Sequence, residues 1–172
     1  MLVRTIGHGT RSGEELVQVL LDAGVQTLVD VRRFPGSRRN PQFNGPELAA
    51  AVAAAGIAYR HALELGGRRS REPGEDRFAC IRVTAFRSYA ARMATEAWQA
   101  ALAAELEQPA PAFLCAETLW TKCHRRLIAE LLHARGHEVV HLLAPGRSEP
   151  HVPWSIAERR DGALFLCGER VA

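Results

Sequence analysis

The sequence predicts an α/β fold, a three-layer domain built on a mostly parallel five-stranded sheet with helices on both faces and a C-terminal hairpin. Three observations predict it. Short apolar runs alternate with longer segments of helical period, the helical segments carry start and stop signals, and Asp161-Gly162 divides the C-terminal stretch. At 172 residues, 47% hydrophobic and 24% charged, the chain suits one domain over residues 1–172.

Val3 to His8 reads as the first strand, and Ser12-Gly-Glu-Glu15 has the form of a capping box opening a helix that stops at Gly24. Thr27 to Arg32 is the second strand. A proline-punctuated loop from Arg33 to Asn44 follows, long for a strand-to-helix connection, and Asn44 with Pro46 starts a second helix running to Gly56. Ile57 to Leu65 is the third strand. Gly66 to Arg77, rich in glycine, proline and arginine, reads as an exposed segment and a lid candidate. Phe86 to Leu106 reads as one long helix, Pro111 to Leu114 as a buried strand, and Leu127 to Leu132 as a helix stopped by Gly136. Glu138 to Leu143 is strand five. Ala144 to Pro153 is broken by proline and glycine, and the segments on either side of Asp161-Gly162 make the hairpin.

Composition excludes several classes. Met1 to Ile6 runs straight into a strand pattern and no long apolar stretch occurs, so a cytoplasmic protein with no membrane partner is expected. Cys80, Cys115, Cys123 and Cys167 are too few and too irregular for a disulfide framework, which makes reduced thiols the expectation. The net charge is +3, and all basic residues but Lys122 are arginines, several in pairs, a side chain whose planar fork suits phosphate and carboxylate.

The densest chemistry is Cys115-Ala-Glu-Thr-Leu-Trp-Thr-Lys-Cys-His-Arg-Arg126, placed at a strand-to-helix turn. Ligands of open α/β sheets bind beyond the carboxyl ends of strands, and a helix amino end adds unpaired N–H groups and positive potential. A parallel sheet brings the ends of its strands to one edge, so His8, Asp30 with Arg32, the Gly66-Gly67-Arg68 turn and Glu117 are expected to share one cleft. Glu117, Asp30, His8, Cys123 and His124 are the candidate catalytic residues; Arg32, Arg38, Arg39, Gly67, Arg68 and Arg125 are the candidate anion contacts. Each has a plain structural alternative. Asp30 and Arg32 project to one side of a strand and read first as an internal ion pair, Cys115 as core filling, and His124 as a cap. Glu117 is expected to feel desolvation and neighbouring arginines in opposite directions. Cys123 and His124, read as neighbours on one helix about 100° apart, give no metal pair, and no metal or cofactor is expected. Gly7-His8-Gly9-Thr10 lacks the spacing and lysine of a phosphate loop.

Thr5-Ile-Gly-His8, Val29-Asp-Val-Arg32, Ser37-Arg-Arg-Asn-Pro-Gln-Phe43, Leu65-Gly-Gly67, Phe86-Arg-Ser-Tyr89 and Cys115-Ala-Glu117 with Cys123-His-Arg125 together resemble the bacterial and archaeal family catalogued as domain of unknown function 488. The resemblance covers residues 3–143 and leaves 144–172 as a C-terminal extension. It implies a compact α/β domain and no particular reaction. Gly9 departs from the serine that many members carry after the histidine.

The leading expectation is a metal-independent hydrolase or transferase for a phosphorylated or nucleotide-like small molecule, with arginines holding the anion. One version is N-glycosidic cleavage with Glu117 as nucleophile or base. The alternatives are a nucleic-acid-binding or ligand-sensing module without catalysis, and a thiol redox protein with Cys123 attacking and Cys115 resolving.

Overall fold

The computed structural model describes residues 1–67 and 71–172. Among them the main sheet and its helices run β1 (Leu2–Gly7), α1 (Gly13–Asp22), β2 (Thr27–Asp30), α2 (Gly45–Ala54), β3 (Ala58–His61), α3 (Thr84–Met93), α4 (Glu96–Leu106), β4 (Pro111–Cys115), α5 (Arg125–Ala134), β5 (Glu138–Ala144) and β6 (Arg147–Pro150). A second, small sheet follows, made of β7 (Ala157–Arg160), β8 (Ala163–Leu166) and β9 (Glu169–Arg170).

The main sheet has the order β3-β2-β4-β1-β5-β6, with β1 to β5 parallel and β6 antiparallel to β5. It therefore has six strands where five were expected. The segment read as broken by proline and glycine turns back at Pro145-Gly146, where Gly146 has φ +64°, and Pro150 ends the edge strand, where a missing N–H is tolerated. The chain leaves β1 toward β2 in one direction and leaves β4 toward β5 in the other. This reversal opens a crevice between the ends of β1 and β4.

Alternation along the strands sends side chains to two cores. Ile6, Leu28 and Leu114 pack with Leu16, Leu20, Leu48 and Val52 of α1 and α2, whereas Val29 and Phe113 pack with residues of α3, α4 and α5. Ser12 accepts from the Glu15 N–H as the capping pattern predicts. The expected single helix from Phe86 to Leu106 is two helices. Thr95 turns its hydroxyl to the Trp98 N–H and caps α4, because a threonine oxygen competes for the N–H groups that a continuous helix would use.

Residues beyond β5 belong to the same packing. Leu164, Leu166 and Val171 join the α5 side of the core, and Asp161-Gly162 forms the expected hairpin turn with φ +50° and +76°. Glu130 of α5 is fully buried, accepts from the Trp154 N–H and from Arg159 at 3.0 Å, and has His151 Nε2 beside it at 3.2 Å. His151 contacts His141 at 3.1 Å, and His141 reaches Thr5 at 2.7 Å with Trp120 stacked on it at 4.0 Å. Cys80 and Cys167 form a disulfide across 87 residues, which corrects the expectation of reduced thiols. Two cysteines so distant in the chain meet only because the hairpin docks beside the segment before α3. Replacing both by serine is expected to cost about 2–4 kcal/mol and to lower Tm by roughly 5–10 °C; an unchanged Tm would mean that docking alone holds the hairpin.

Candidate functional site

A cleft of about 760 Å³ opens where β1, β2 and β4 end. The parallel ladder continues past the strands, with the His8 N–H on the Cys115 carbonyl and the Gly9 N–H on the Ala116 carbonyl, both at 2.9 Å. Glycine is required along this path. A Cβ on Gly7 would lie 1.9 Å from the Glu117 oxygen, and Gly9 has φ +54° with Thr118 Oγ1 2.3 Å from where its Cβ would stand. A serine at position 9 would be strained in this chain.

Cys115, Cys123 and His124 gather in the cleft wall. Both cysteines are buried and unbridged, and the three ligand-type atoms lie within 4.8 Å of one another. His124 Nδ1 stands 3.7 Å from Cys115 Sγ and 3.6 Å from Cys123 Sγ, while Nε2 is 3.1 Å from the Val31 carbonyl. A carbonyl only accepts, so Nε2 donates to Val31 and Nδ1 is the ring atom turned to the two sulfurs. The Tyr89 ring packs against His124 at 4.9 Å, and its hydroxyl donates to the Leu65 carbonyl at 2.8 Å. Gly67 completes the support, because a Cβ there would lie 2.4 Å from His124 Nδ1.

This geometry corrects the helical reading of Cys123 and His124. Cys123 is extended, with φ −121° and ψ 152°, and His124 is the cap of α5. The two side chains are therefore free to converge. Cys115 is held protonated well above the ordinary thiol range, first because it donates to Cys123 and second because it is buried. Burial also pushes Cys123 up, but the Cys115 thiol, His124 and the Arg125 charge outweigh it and bring Cys123 well below that range.

His8 lines the same cleft. Its Nδ1 donates to the Gly9 carbonyl at 2.9 Å, its ring stacks on Phe43 at 4.3 Å, and burial holds its pKa below the ordinary value of 6.5 despite that bond. The neutral ring thus keeps Nε2 as its acceptor.

Two candidate anion contacts are occupied internally. Arg32 gives Nε at 2.8 Å and Nη2 at 2.5 Å to Asp30, and Nη1 at 2.8 Å to the Phe43 carbonyl. Asp30 has no exposure and also accepts from the Arg32 N–H at 3.0 Å and from Tyr59 at 2.8 Å; burial and then Asp30 push the Tyr59 pKa up. A carboxylate this saturated is a poor proton carrier. The pair instead fixes Phe43 beneath His8 and puts a cation in the cleft wall. Arg125 is 1% exposed and faces inward, donating to Thr5 at 3.2 Å and to the Glu117 and Thr118 carbonyls.

Glu117 lies on the cleft but is exposed, so the expected desolvation is missing. Arg39 lines the cleft, and Arg38 is exposed away from it. Arg68 lies outside the described residues. Within the lid candidate, Glu75 is buried and anchored by Ser88 and by Arg71 at 2.7 Å, and Phe78 just beyond it is buried as well, so that part is docked. Sequence reasoning missed Arg33 and Lys122 on the cleft, and Tyr89 behind His124. Arg33 stood in a noted arginine pair and Lys122 is the sole lysine, whereas Tyr89 read as one more apolar helix residue.

The family model described as domain of unknown function DUF488 matches residues 12–132. The chain belongs to this family. The DUF488 match is narrower than the resemblance over residues 3–143; it includes Asp30, Cys115, Glu117, Cys123, His124 and Arg125 and leaves His8 outside. No curated protein and no solved structure matches the chain. Among the described residues no helix is long and apolar enough to cross a membrane.

Proposed function

We propose that this DUF488 protein is an enzyme of hydrolase or transferase type acting on an anionic, phosphorylated or nucleotide-like small molecule bound in the cleft. The Cys115–Cys123–His124 cluster is its reaction centre and His8 its proton carrier. The observation that carries the reading is the meeting, in one cleft, of two buried sulfurs and an oriented imidazole with the cations Arg33, Arg39 and Lys122. Arg33 and Arg39 come from the loop after β2 and Lys122 from the turn after β4, so two segments bring positive charge to one cleft, which suits a compact anion. The roles differ from those first expected. Asp30, Arg32 and Arg125 position other groups, and Glu117 meets substrate at the rim.

The test is a screen of phosphorylated metabolites and nucleotides against the native protein, Cys123→Ser and Arg39→Ala. For any hit, Cys123→Ser is expected to lower kcat at least about a hundredfold, while Arg39→Ala mainly raises KM. Equal turnover by native protein and Cys123→Ser rejects the assignment. A thiol redox reading is favoured by the closeness of the two sulfurs. It predicts that mild oxidation joins Cys115 to Cys123 and that dithiothreitol restores both thiols.

A further inference from the structure

We infer that Cys115, Cys123 and His124 bind a thiophilic divalent ion of the zinc class, with a fourth coordination position open to the cleft. This rests on the reading of the cluster as reaction centre and specifies what sits there.

The spacing of the three atoms supports it. Zinc bonds of about 2.3 Å to sulfur and 2.0–2.1 Å to nitrogen, at tetrahedral angles, place S and N about 3.5 Å apart. The observed S–N separations are 3.7 and 3.6 Å, and the two sulfurs lie within 4.8 Å of each other against about 3.8 Å around a tetrahedral zinc, so the sulfurs close by up to about 1 Å on the ion. A proton fits less well, because it bridges His124 to one sulfur at a time, whereas an ion engages all three atoms.

The outer contacts are also those of a ligand set. The Val31 carbonyl holds the proton on Nε2 and leaves Nδ1 available, an orientation that metal-bound histidines commonly receive from a backbone carbonyl. Gly67 leaves side-chain-free space beside Nδ1, where a Cβ would stand at 2.4 Å. Two thiolates balance a divalent charge, and the sulfur–nitrogen set selects zinc-like ions over calcium or magnesium. All three residues line the cleft, so solvent or substrate reaches the remaining position. Three protein ligands with one open place are the arrangement of a catalytic zinc site.

The test uses the full chain, stripped with chelator under mild reduction that spares the Cys80–Cys167 bridge, with Co²⁺ as the probe. The inference expects thiolate-to-cobalt charge-transfer absorption and intense visible bands of tetrahedral Co²⁺, saturating at one ion per chain and erased by equimolar Zn²⁺. Cys115→Ser and Cys123→Ser, with folding checked by circular dichroism, are each expected to lose most of the charge-transfer intensity. Absence of the bands in the native chain, or bands unchanged in both variants, overturns the inference. The first outcome needs no variant. If no Co²⁺ binds while Cys123→Ser still abolishes turnover, the ion is rejected and the reaction-centre reading stands. If Co²⁺ binds as expected but no substrate is turned over, the ion site holds and that reading falls.

Discussion

Asp30→Ala is expected to destabilise the fold by about 3–5 kcal/mol, the usual cost of leaving one partner of a buried ion pair alone. Asp30 has no exposure and Arg32 only 5%, so solvent does not replace the lost carboxylate. Tyr59 loses its acceptor as well. At roughly 2–4 °C per kcal/mol for a chain of this size, Tm should fall by about 10 °C. Adding Arg32→Met should recover part of the loss, because the stranded charge is removed with its partner. Glu117→Ala is the contrast, expected to stay within about 0.5 kcal/mol because its side chain is exposed. Urea unfolding of the four proteins checks this. A loss below about 1 kcal/mol for Asp30→Ala would mean that water enters the pair.

Acid is the second large lever, through His141. Burial first, and then the charges of His151 and Arg125, lower its pKa from 6.5 to about 3. The groups around it include Thr5, Trp120 and His151, with Glu130 and His133 against His151. As pH falls below 6.5 the unfolded chain takes up a proton that folded His141 refuses, so stability is present at neutral pH and declines with acid. Between pH 7 and 5 the loss is about 2 kcal/mol, growing to on the order of 4 kcal/mol near pH 3. His8, His133 and His137, also lowered by burial, add in the same direction. Glu130 is held below the ordinary carboxylate value, and its contribution fades only under about pH 4.5. The interval from pH 7 to 5 therefore reports mainly on histidines. Urea midpoints across it should slope steeply for the native chain and clearly less for His141→Gln. Superimposable slopes would remove His141 as the cause.

Much of the fold was legible because its signals are local. The Ser12 cap, the Asp161-Gly162 turn and the alternation of apolar runs each depend on neighbours a few residues away, and all three reappear. The Asp30–Arg32 pair was legible for the same reason, since two residues along a strand share a side. Nonlocal features were not. Nothing near Cys80 indicates Cys167, and an arginine after a strand reads the same whether it faces solvent, as Arg39 does, or carbonyls, as Arg125 does. The cluster at Cys123 was misjudged by where the helix begins. One residue of extended backbone at Cys123 turned an expected divergence from His124 into convergence on the same space as Cys115.

The central claim is that the cations of the cleft and the sulfur of Cys123 face the same bound anion. It is tested most directly by the rates at which iodoacetate and iodoacetamide alkylate Cys123 in chelator-treated protein, read by peptide mass spectrometry. The two reagents differ mainly in charge. Relative to a small free thiol, the ratio of iodoacetate to iodoacetamide rates should be raised about tenfold by electrostatic focusing, and it should fall to the free-thiol value in Arg33→Ala/Arg39→Ala. A ratio equal to that of the free thiol in the native chain, or one untouched by removing both arginines, would contradict the account.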